Sequence, residues 1–296
     1  MLLTTPAIRA LKKDCSDRQV IVYCSNESHR SIYLHNPNID KIQIAKFFSN
    51  PIDWLLFFLK PGRFLTTNYG NFGTSLYYRK KSAVEFIGEM LAVKIDDKKL
   101  EVYLTLEEEE WGRLFLAKYV NPIILHVSSI ASKNQEWPIE NWEKLVMDMP
   151  NYTFVQLGNL NEHKVKGVVD MRGKTSFRQA LSIMKNSLSF AGVVSSFSHA
   201  TSALNVRGVV LFGASTPEVW GHSNNINLYK NLPCAPCIDL LLSSRCPYNK
   251  PCMRTITVEE VKSALLRQLS LGKANDNAKT LSSQSATLRS VKPRTL

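Results

Sequence analysis

The sequence lacks the long apolar run that a membrane-spanning helix requires. Its longest apolar stretch, Trp54 to Leu59, is far shorter than the roughly 20 residues that cross a bilayer. The stretch also lies too far inside the chain to act as a secretory signal. We therefore expect a cytoplasmic protein with no spanning helix.

Acidic residues are scarce. The chain has 25 Asp and Glu against 37 Lys and Arg, which gives a formal net charge of +12. This excess suits a phosphate-rich partner such as an anionic membrane surface or nucleic acid, although an ordinary solvated basic surface explains it equally well. No Arg-rich block with interleaved aromatic residues marks a nucleic-acid surface, so nucleic acid is the less favoured partner.

Cysteine is also sparse, except in one short segment that contains Cys234, Cys237, Cys246 and Cys252. Four thiolates that include a C-x-x-C pair suit tetrahedral zinc or iron, since both metals favour soft sulfur donors. The metal would be structural, because the protein fills all four corners. A proline-stiffened loop of free thiols, or two local disulfides in an oxidising compartment, are the alternatives.

Short apolar segments alternate with amphipathic ones in two halves that meet near Asn121-Pro122. This alternation is typical of α/β proteins and predicts two Rossmann-like domains facing one another. We assign residues 1–120 to the first domain and 121–271 to the second, which includes a cysteine-rich loop at 233–253. Residues 272–296 are basic and without hydrophobic periodicity, which predicts a disordered tail.

Periodicity and capping residues place the individual elements. We predict strands at 19–24, 42–45, 101–104, 123–127, 152–157, 188–194 and 208–212. We predict helices at 2–13, 82–93 and 177–184, with others opening at 107–110 and after Pro138.

A candidate binding site follows two of these strands. Ser195 and Ser196 come directly after the apolar run that ends at Val194, and a short helix carrying His199 begins there. The strand at 208–212 ends in a loop of small residues that includes Thr216. Hydroxyls and free backbone N–H groups at strand ends form anion-binding sites, so the pattern predicts a floor for a phosphorylated ligand.

These residues belong to a longer pattern that resembles glycosyltransferase family 9, the ADP-heptose heptosyltransferase group. The matching positions are Gly192, Ser195, His199, Leu211, Phe212, Gly213, Thr216, Pro217, Trp220, Cys234, Cys237, Cys252 and Met253, followed by Ile256, Thr257 and Val261. The resemblance implies the GT-B arrangement and transfer of a sugar, heptose in this group, from a nucleotide-sugar donor. The cysteine segment is similar to that of the iron-containing heptosyltransferases that modify autotransporter proteins, which is why iron stands beside zinc.

The resemblance also implies site residues. Ser195, Ser196, His199 and Thr216 would bind the donor. Lys133 would contact donor phosphate, although Gln135 stands at the family's lysine position, and Glu162 matches a ribose-binding glutamate. The acceptor would be a protein or a lipopolysaccharide-type molecule, and contact with an anionic membrane and homo-oligomerisation are further expectations.

Two departures from the family pattern leave alternatives open. Val194 stands where the family has a carboxylate that holds the donor sugar, and the family's N-terminal strand and Gly-Asp pair do not precede Leu2. We expect the N-terminal domain to lack its first strand, and no catalytic base is assigned; Asp40 and Glu85 are candidates. A catalytically silent homologue that acts as a binding or assembly module is the main alternative. A nucleic-acid-directed glycosyltransferase or binder is the second.

Overall fold

The protein is an α/β structure with parallel sheets. The computed structural model describes residues 1–14, 17, 19–44, 81–237 and 245–272. Gly272 is helical and is the last of these residues, so the rest of the predicted tail lies outside the described part of the chain. No helix in that part is both long and apolar enough to cross a membrane.

The strands are β1 Ile21–Cys24, β2 Lys41–Ile44, β3 Pro122–His126, β4 Thr153–Gln156, β5 Val169–Asp170, β6 Ser189–Val193, β7 Gly208–Phe212 and β8 Asn225–Tyr229. The helices are α1 Thr5–Asp14, α2 Glu27–Tyr33, α3 Ala83–Met90, α4 Leu106–Leu116, α5 Ile139–Met147, α6 Phe177–Lys185, α7 Ser196–Leu204, α8 Pro217–Trp220, α9 Pro251–Arg254 and α10 258–272. Short 3₁₀ turns lie at Leu2–Thr4 and Lys133–Gln135.

Helix starts follow the local sequence. Capping boxes, in which the cap and the third helical residue bond reciprocally, begin α3 at Ser82, α4 at Thr105, α6 at Ser176 and α7 at Ser195. Each box satisfies two backbone N–H groups that a helix start would otherwise leave without a partner.

Six parallel strands form the main sheet in the order β5-β4-β3-β6-β7-β8. The strands β6 and β7 are buried along their whole length, as expected for parallel strands covered by helices on both faces. From β3 the chain adds β4 and β5 on one side, and then β6, β7 and β8 on the other side. The two halves meet where β3 pairs with β6, with His126 opposite Gly192. Ligands bind such sheets at this switch point, outside the carboxyl ends of the strands.

Two hydrophobic cores cover the sheet. Ile124 belongs to one core, whereas Ile123 and Leu125 belong to the other, as strand alternation requires. The first core also contains Leu3 and Ala7 from the N-terminal segment. The N-terminal part of the chain therefore packs against the same sheet that carries the switch point.

A buried arginine ties several elements to α6. Arg178 pairs with Glu108 of α4 and donates hydrogen bonds to the carbonyls of Ser31, at 2.9 Å, and Tyr103, at 2.7 Å. The guanidinium has several donors in one plane, which lets it serve three partners at once. It fixes the N-terminal segment on the main sheet.

The prediction of a strand at 101–104 was wrong. Residues 101–105 are not in a ladder in the described structure. The Glu101 N–H instead donates to Thr5 Oγ1 at 3.0 Å, and Arg9 binds the Glu101 carboxylate. Side chains of α1 therefore take the place of a neighbouring strand. The elements α2, β5, β8 and α10 were not predicted, whereas the strand at 208–212 was confirmed at both ends.

Candidate functional site

The candidate site lies at the carboxyl ends of the parallel strands of the main sheet, which we call the carboxyl edge. Because all six strands run parallel, the loops that follow β3, β4, β6 and β7 leave from this one edge. Five of the six predicted donor-binding side chains sit on the loops after β4, β6 and β7 or in the helices that follow them. The sixth, Lys133, lies in the segment after β3.

The loop after β6 opens α7. Ser195 is the N-cap: its hydroxyl accepts the Ser198 N–H at 3.4 Å, and its own N–H donates to Ser198 Oγ at 2.9 Å. The Ser195 side chain thus caps the helix, whereas Ser196 is exposed. The positive end of the helix dipole faces the switch point here, which favours an anion.

The loop after β3 is held by a buried glutamine. Gln135 is 1% exposed, its Nε2 donates to Ser129 Oγ at 3.4 Å, and its Oε1 accepts the hydroxyl of Ser215 from the loop after β7. At this position the family pattern has a lysine. Here a neutral side chain joins the two loops, so any cation for the donor must come from elsewhere.

Lys133 is the nearest candidate cation. Its ammonium lies 2.7 Å from Glu136 Oε1, and its side chain is 72% exposed. The same Glu136 oxygen accepts the Ser129 N–H at 3.0 Å. Only the lysine of this pair is exposed, since Glu136 is 9% exposed. If Lys133 turned to another anion, the buried carboxylate would keep the Ser129 N–H as a partner.

The loop after β4 positions Glu162. Its Oε1 accepts the backbone and side-chain N–H groups of Asn159 at 2.9 and 3.1 Å, and its Oε2 lies 3.7 Å from His126 Nδ1. Burial lowers the pKa of His126, although Glu162 opposes this. The neutral ring donates to the Leu157 carbonyl at 3.0 Å. Gly158 has φ +145°, and a Cβ there would strike the Glu162 carboxylate.

Three buried oxygens at this edge have no hydrogen-bond partner among the described residues: Ser128 Oγ, Thr216 Oγ1 and Glu162 Oε2. They come from three different loops. Buried polar atoms without partners are rare in native proteins, and each one calls for a water, an ion or a ligand. Sequence reasoning chose Thr216 and Glu162 but did not use Ser128, although its position directly after an apolar strand was a visible signal.

His199 pairs with a second histidine that was not predicted. His199 Nδ1 lies 2.8 Å from His222 Nε2, and the Trp220 ring centroid is 6.2 Å from that of His199. Burial lowers the pKa of His199 well below its ordinary value, and His222 and the α-amino group of Met1 add to this effect. Burial also lowers the pKa of His222, to about 4. Both rings are neutral at pH 7.

The described parts of the cysteine segment, residues 234–237 and 245–252, contact these loops. The Cys237 N–H donates to the Ala214 carbonyl at 2.9 Å, and the Cys246 N–H donates to Asn134 Oδ1 at 3.0 Å. Lys250 Nζ donates to the Glu136 carbonyl at 3.1 Å. The segment therefore supports the turn that carries Lys133.

The other three cysteines of the segment affect the pKa of Cys252, but the described residues do not form a closed metal-binding cluster. Burial raises the pKa of Cys252 to about 11, and Cys237, Cys234 and Cys246 also contribute to the rise. Cys234, Cys246 and Cys252 are free thiols. Within the described ranges, no group of three or more His, Cys, Asp or Glu side chains is arranged to hold a metal ion.

The two carboxylates considered as bases have structural partners. Asp40 pairs with Lys12 at 2.7 Å and accepts the Val20 N–H at 2.6 Å. Glu85 closes the capping box of α3 and pairs with Lys98 at 2.7 Å. Both carboxylates hold local structure, so neither is assigned as a base.

A cavity of about 600 Å³ lies at the opposite edge of the sheet. It is lined by Val120, Asn121, Pro150, Asn151, Tyr152 and Thr153, at the amino ends of β3 and β4. These residues include none of the unpartnered oxygens. The unpartnered atoms at the carboxyl edge, rather than this cavity, locate the candidate site.

A doubly wound parallel sheet with hydroxyls at the carboxyl ends of its strands is an α/β architecture that binds ligands at its switch point. The profile of glycosyltransferase family 9 (heptosyltransferase) matches residues 80–245, and the chain belongs to this family of sugar-transferring enzymes. A comparison with curated proteins finds no match.

Solved structures share the fold. A family 9 glycosyltransferase from Veillonella parvula DSM 2008 is 16% identical, with a TM-score of 0.68 over 90% of this chain and 93% of that one. ADP-heptose lipopolysaccharide heptosyltransferase II of E. coli is 12% identical, with a TM-score of 0.69 over 92% and 96%. The iron-containing dodecameric glycosyltransferase TibC of enterotoxigenic E. coli H10407 is 13% identical, with a TM-score of 0.64 over 90% and 72%. The predicted fold class, a GT-B type α/β protein, is confirmed.

Proposed function

We propose that this enzyme transfers a heptose from an ADP-heptose-type donor to a lipopolysaccharide-type or protein acceptor. The observation that carries the proposal is the set of buried, unpartnered oxygens of Ser128, Thr216 and Glu162 around the switch point. A nucleotide sugar offers donors and acceptors that match such oxygens. Among the similar structures, TibC was solved with ADP-D-β-D-heptose.

Different residues are proposed to bind different parts of the nucleotide-sugar donor. Ser196, Ser195 and the first turn of α7 would face the diphosphate, where the helix dipole favours negative charge. Lys133 would leave Glu136 for phosphate, Thr216 would donate to the donor, and Glu162 Oε2 would accept from a ribose hydroxyl. In the reaction, the oxygen of the acceptor hydroxyl bonds to the anomeric carbon, the bond between that carbon and the diphosphate oxygen breaks, and the hydroxyl proton is released to solvent. Groups held against that leaving oxygen stabilise the charge that develops there.

A thermal-shift series tests the donor class. ADP-heptose, ADP, UDP-glucose and GDP-mannose are each added to the full chain, and bound ligand raises the melting temperature by mass action. We expect ADP and ADP-heptose to raise it and the other two to leave it unchanged. A shift with UDP-glucose alone would reject the adenine donor. Mass spectrometry of a lipopolysaccharide core acceptor then reports transfer.

A catalytically silent homologue is the second candidate, because Val194 stands 8% exposed at the end of β6 where the family has a carboxylate. Valine can neither accept a bond from a sugar hydroxyl nor act as a base. ADP-heptose that binds but is neither transferred nor hydrolysed would support this reading. Val194→Asp should then restore turnover.

A structural iron or zinc at Cys234, Cys237, Cys246 and Cys252 is part of the proposal. The donor set fits: four sulfur ligands, two of them in a C-x-x-C pair, suit both metals. The segment is also anchored at Cys237 and Cys246 by backbone hydrogen bonds. A bound metal would hold the segment closed and take no part in bond breaking.

The remaining expectations concern assembly and location. The net charge of +12 supports contact with the anionic inner face of a membrane, and thiols of this kind persist in the reducing cytoplasm. Homo-oligomerisation is proposed because TibC is described as dodecameric. Light scattering on the full chain measures the mass, and co-sedimentation with phosphatidylglycerol vesicles at two salt concentrations measures membrane contact.

A further inference from the structure

His199 of α7 and His222 form a hydrogen-bonded pair of imidazole rings. His199 Nδ1 and His222 Nε2 are 2.8 Å apart, and the two rings meet edge to face at 86°. A separation of this size between ring nitrogens requires one N–H to donate to the lone pair of the other. The contact therefore couples the two tautomers: whichever ring donates here, the other ring carries its proton on its far nitrogen.

Hydrogen bonds to its backbone carbonyl hold His222 in place. Its carbonyl accepts the Asn225 N–H at 3.1 Å and the Asn227 Nδ2–H at 3.4 Å, which closes the turn between α8 and β8. His199 stands in the first turn of α7, at the end that faces the switch point. In the described part of the chain, His199 Nε2 has no hydrogen-bond partner.

We infer that His222 is a positioning residue for donor binding: its Nε2–H donates to His199 Nδ1, which places the His199 proton on Nε2, where it can donate to a diphosphate oxygen. The opposite tautomer would present a lone pair to an anion, which is repulsive. This inference rests on the proposed function, because the diphosphate is the ligand that the site is proposed to bind.

The charge state supports a role through the tautomer rather than through a fixed positive charge. Burial lowers the pKa of both rings, and the groups that act on His199 are His222 and the α-amino group of Met1. A neutral imidazole can still bind an anion, but only with an N–H directed at it. The hydrogen bond from His222 determines whether His199 carries that proton on Nε2.

Nitrogen-15 NMR of the full chain with labelled histidine reads the tautomers directly, without any ligand. We expect His199 to carry its proton on Nε2 in the wild type, with His199→Ala identifying its signals. His222→Gln should keep this tautomer, since the amide nitrogen of Gln can donate in place of Nε2. His222→Ala should give a mixture of tautomers. A His199 proton on Nδ1 in the wild type would overturn the inference.

Calorimetric titration with ADP supplies the binding readout. We expect His222→Ala to raise Kd about tenfold and His222→Gln to stay near the wild type. The ratio of the Kd of the Ala variant to that of the wild type should stay the same between pH 8 and pH 6, because burial, the main cause of the low pKa of His199, remains in the variant. Equal loss in both variants, at matched melting temperatures, would assign His222 a packing role only. No ADP binding by the wild type would reject the proposed function, while the NMR result would still decide the tautomer.

Discussion

Met253 fills the space directly beneath Gly213. A Cβ placed on Gly213 would lie 2.6 Å from Met253 Cγ, closer still to Sδ, and 3.2 Å from the Asn134 carbonyl oxygen. Met253 is fully buried, so it has little room to withdraw. The helical turn α9 thus packs against the loop after β7, which brings the end of the cysteine segment next to the candidate site.

Gly213→Ala should lower the free energy of unfolding by about 1–3 kcal/mol, because the added methyl group overpacks a filled site. Met253→Ala alone should cost about 2–5 kcal/mol through its cavity. The double variant should cost less than the sum, since the shorter side chain makes room for the methyl group. Urea denaturation measures all three. Gly272→Ala is the control: no heavy atom lies within 4 Å of its Cβ, and the change should be neutral or stabilising by up to about 1 kcal/mol.

Arg178→Met should cost about 3–5 kcal/mol of stability, because it leaves the Glu108 carboxylate without its buried partner. It also leaves the carbonyls of Ser31 and Tyr103 without this donor. Arg113→Met is the matched control. Arg113 pairs with Glu110 on the surface with 58% of its side chain exposed, so its loss should cost about 0–1 kcal/mol. Equal losses in the two variants would show that Arg178 does not hold the N-terminal segment in place.

Acid should weaken the protein partly through Asp170. Hydrogen bonding from Arg172, with Nε 2.8 Å from Oδ1, lowers the pKa of Asp170 from 3.8 to about 2. A carboxylate with a depressed folded-state pKa stabilises the fold above its unfolded pKa, and that contribution disappears as the pH falls through the folded pKa. Between pH 4 and pH 2 the wild type should therefore lose about 2 kcal/mol more than Asp170→Asn does.

Arg172→Gln provides the check on the cause of that loss. Without the guanidinium, the pKa of Asp170 should return towards its ordinary value, and the extra loss between pH 4 and pH 2 should vanish. Fluorescence-detected urea unfolding at each pH gives the free energies. An acid profile of Arg172→Gln that matches the wild type would show that another group causes the loss.

Ser128→Ala should weaken ADP binding several-fold without destabilising the fold, because Ser128 Oγ has no partner to lose in the described structure. Thr216→Val should behave in the same way. Thr201→Val is the contrasting control: its hydroxyl donates to the Ser198 carbonyl at 2.7 Å and accepts from Asn225 at 2.8 Å. This variant should lower the melting temperature and leave ADP affinity unchanged. Unchanged affinity in Ser128→Ala and Thr216→Val would remove both residues from the donor site.

About one iron or zinc per chain should be found by elemental analysis of protein purified without added metal, as one tetrahedral site requires. Chelation should release it together with four titratable thiols. Cys234→Ser should lower the metal content, whereas Cys24→Ser should not, since Cys24 lies apart from the segment. Metal-free protein with four thiols already reactive would contradict the proposal.

Much of the main sheet could be predicted from the sequence, because its central strands are short apolar runs bounded by small or polar residues. The strand at Gly208–Phe212 was predicted at both ends. Val169–Asp170 and Asn225–Tyr229 were missed, since the first has two residues and the second is only partly buried. Edge strands of this kind carry weak periodicity, and the neighbouring strand decides whether they form.

The site was predicted in part for a similar reason. Ser195 and Thr216 stand next to strong apolar strands, where spacing alone brings them to one edge. His222 and Gln135 could not be chosen, because their roles depend on partners that are 23 and 80 residues away in the sequence, namely His199 and Ser215. Such contacts follow from the sheet order rather than from local spacing.

The hydrogen bonds from Cys246 to Asn134 and from Lys250 to Glu136 have a consequence for handling the enzyme. They attach the thiol-bearing segment to the turn that presents Lys133, so a change in one displaces the other. Oxidants and long storage modify thiols, and a chelator would remove the proposed metal, yet either effect would be read as a change in nucleotide affinity. Donor titrations on preparations that differ only in dithiothreitol, or in EDTA if the proposed metal is present, should therefore give different affinities.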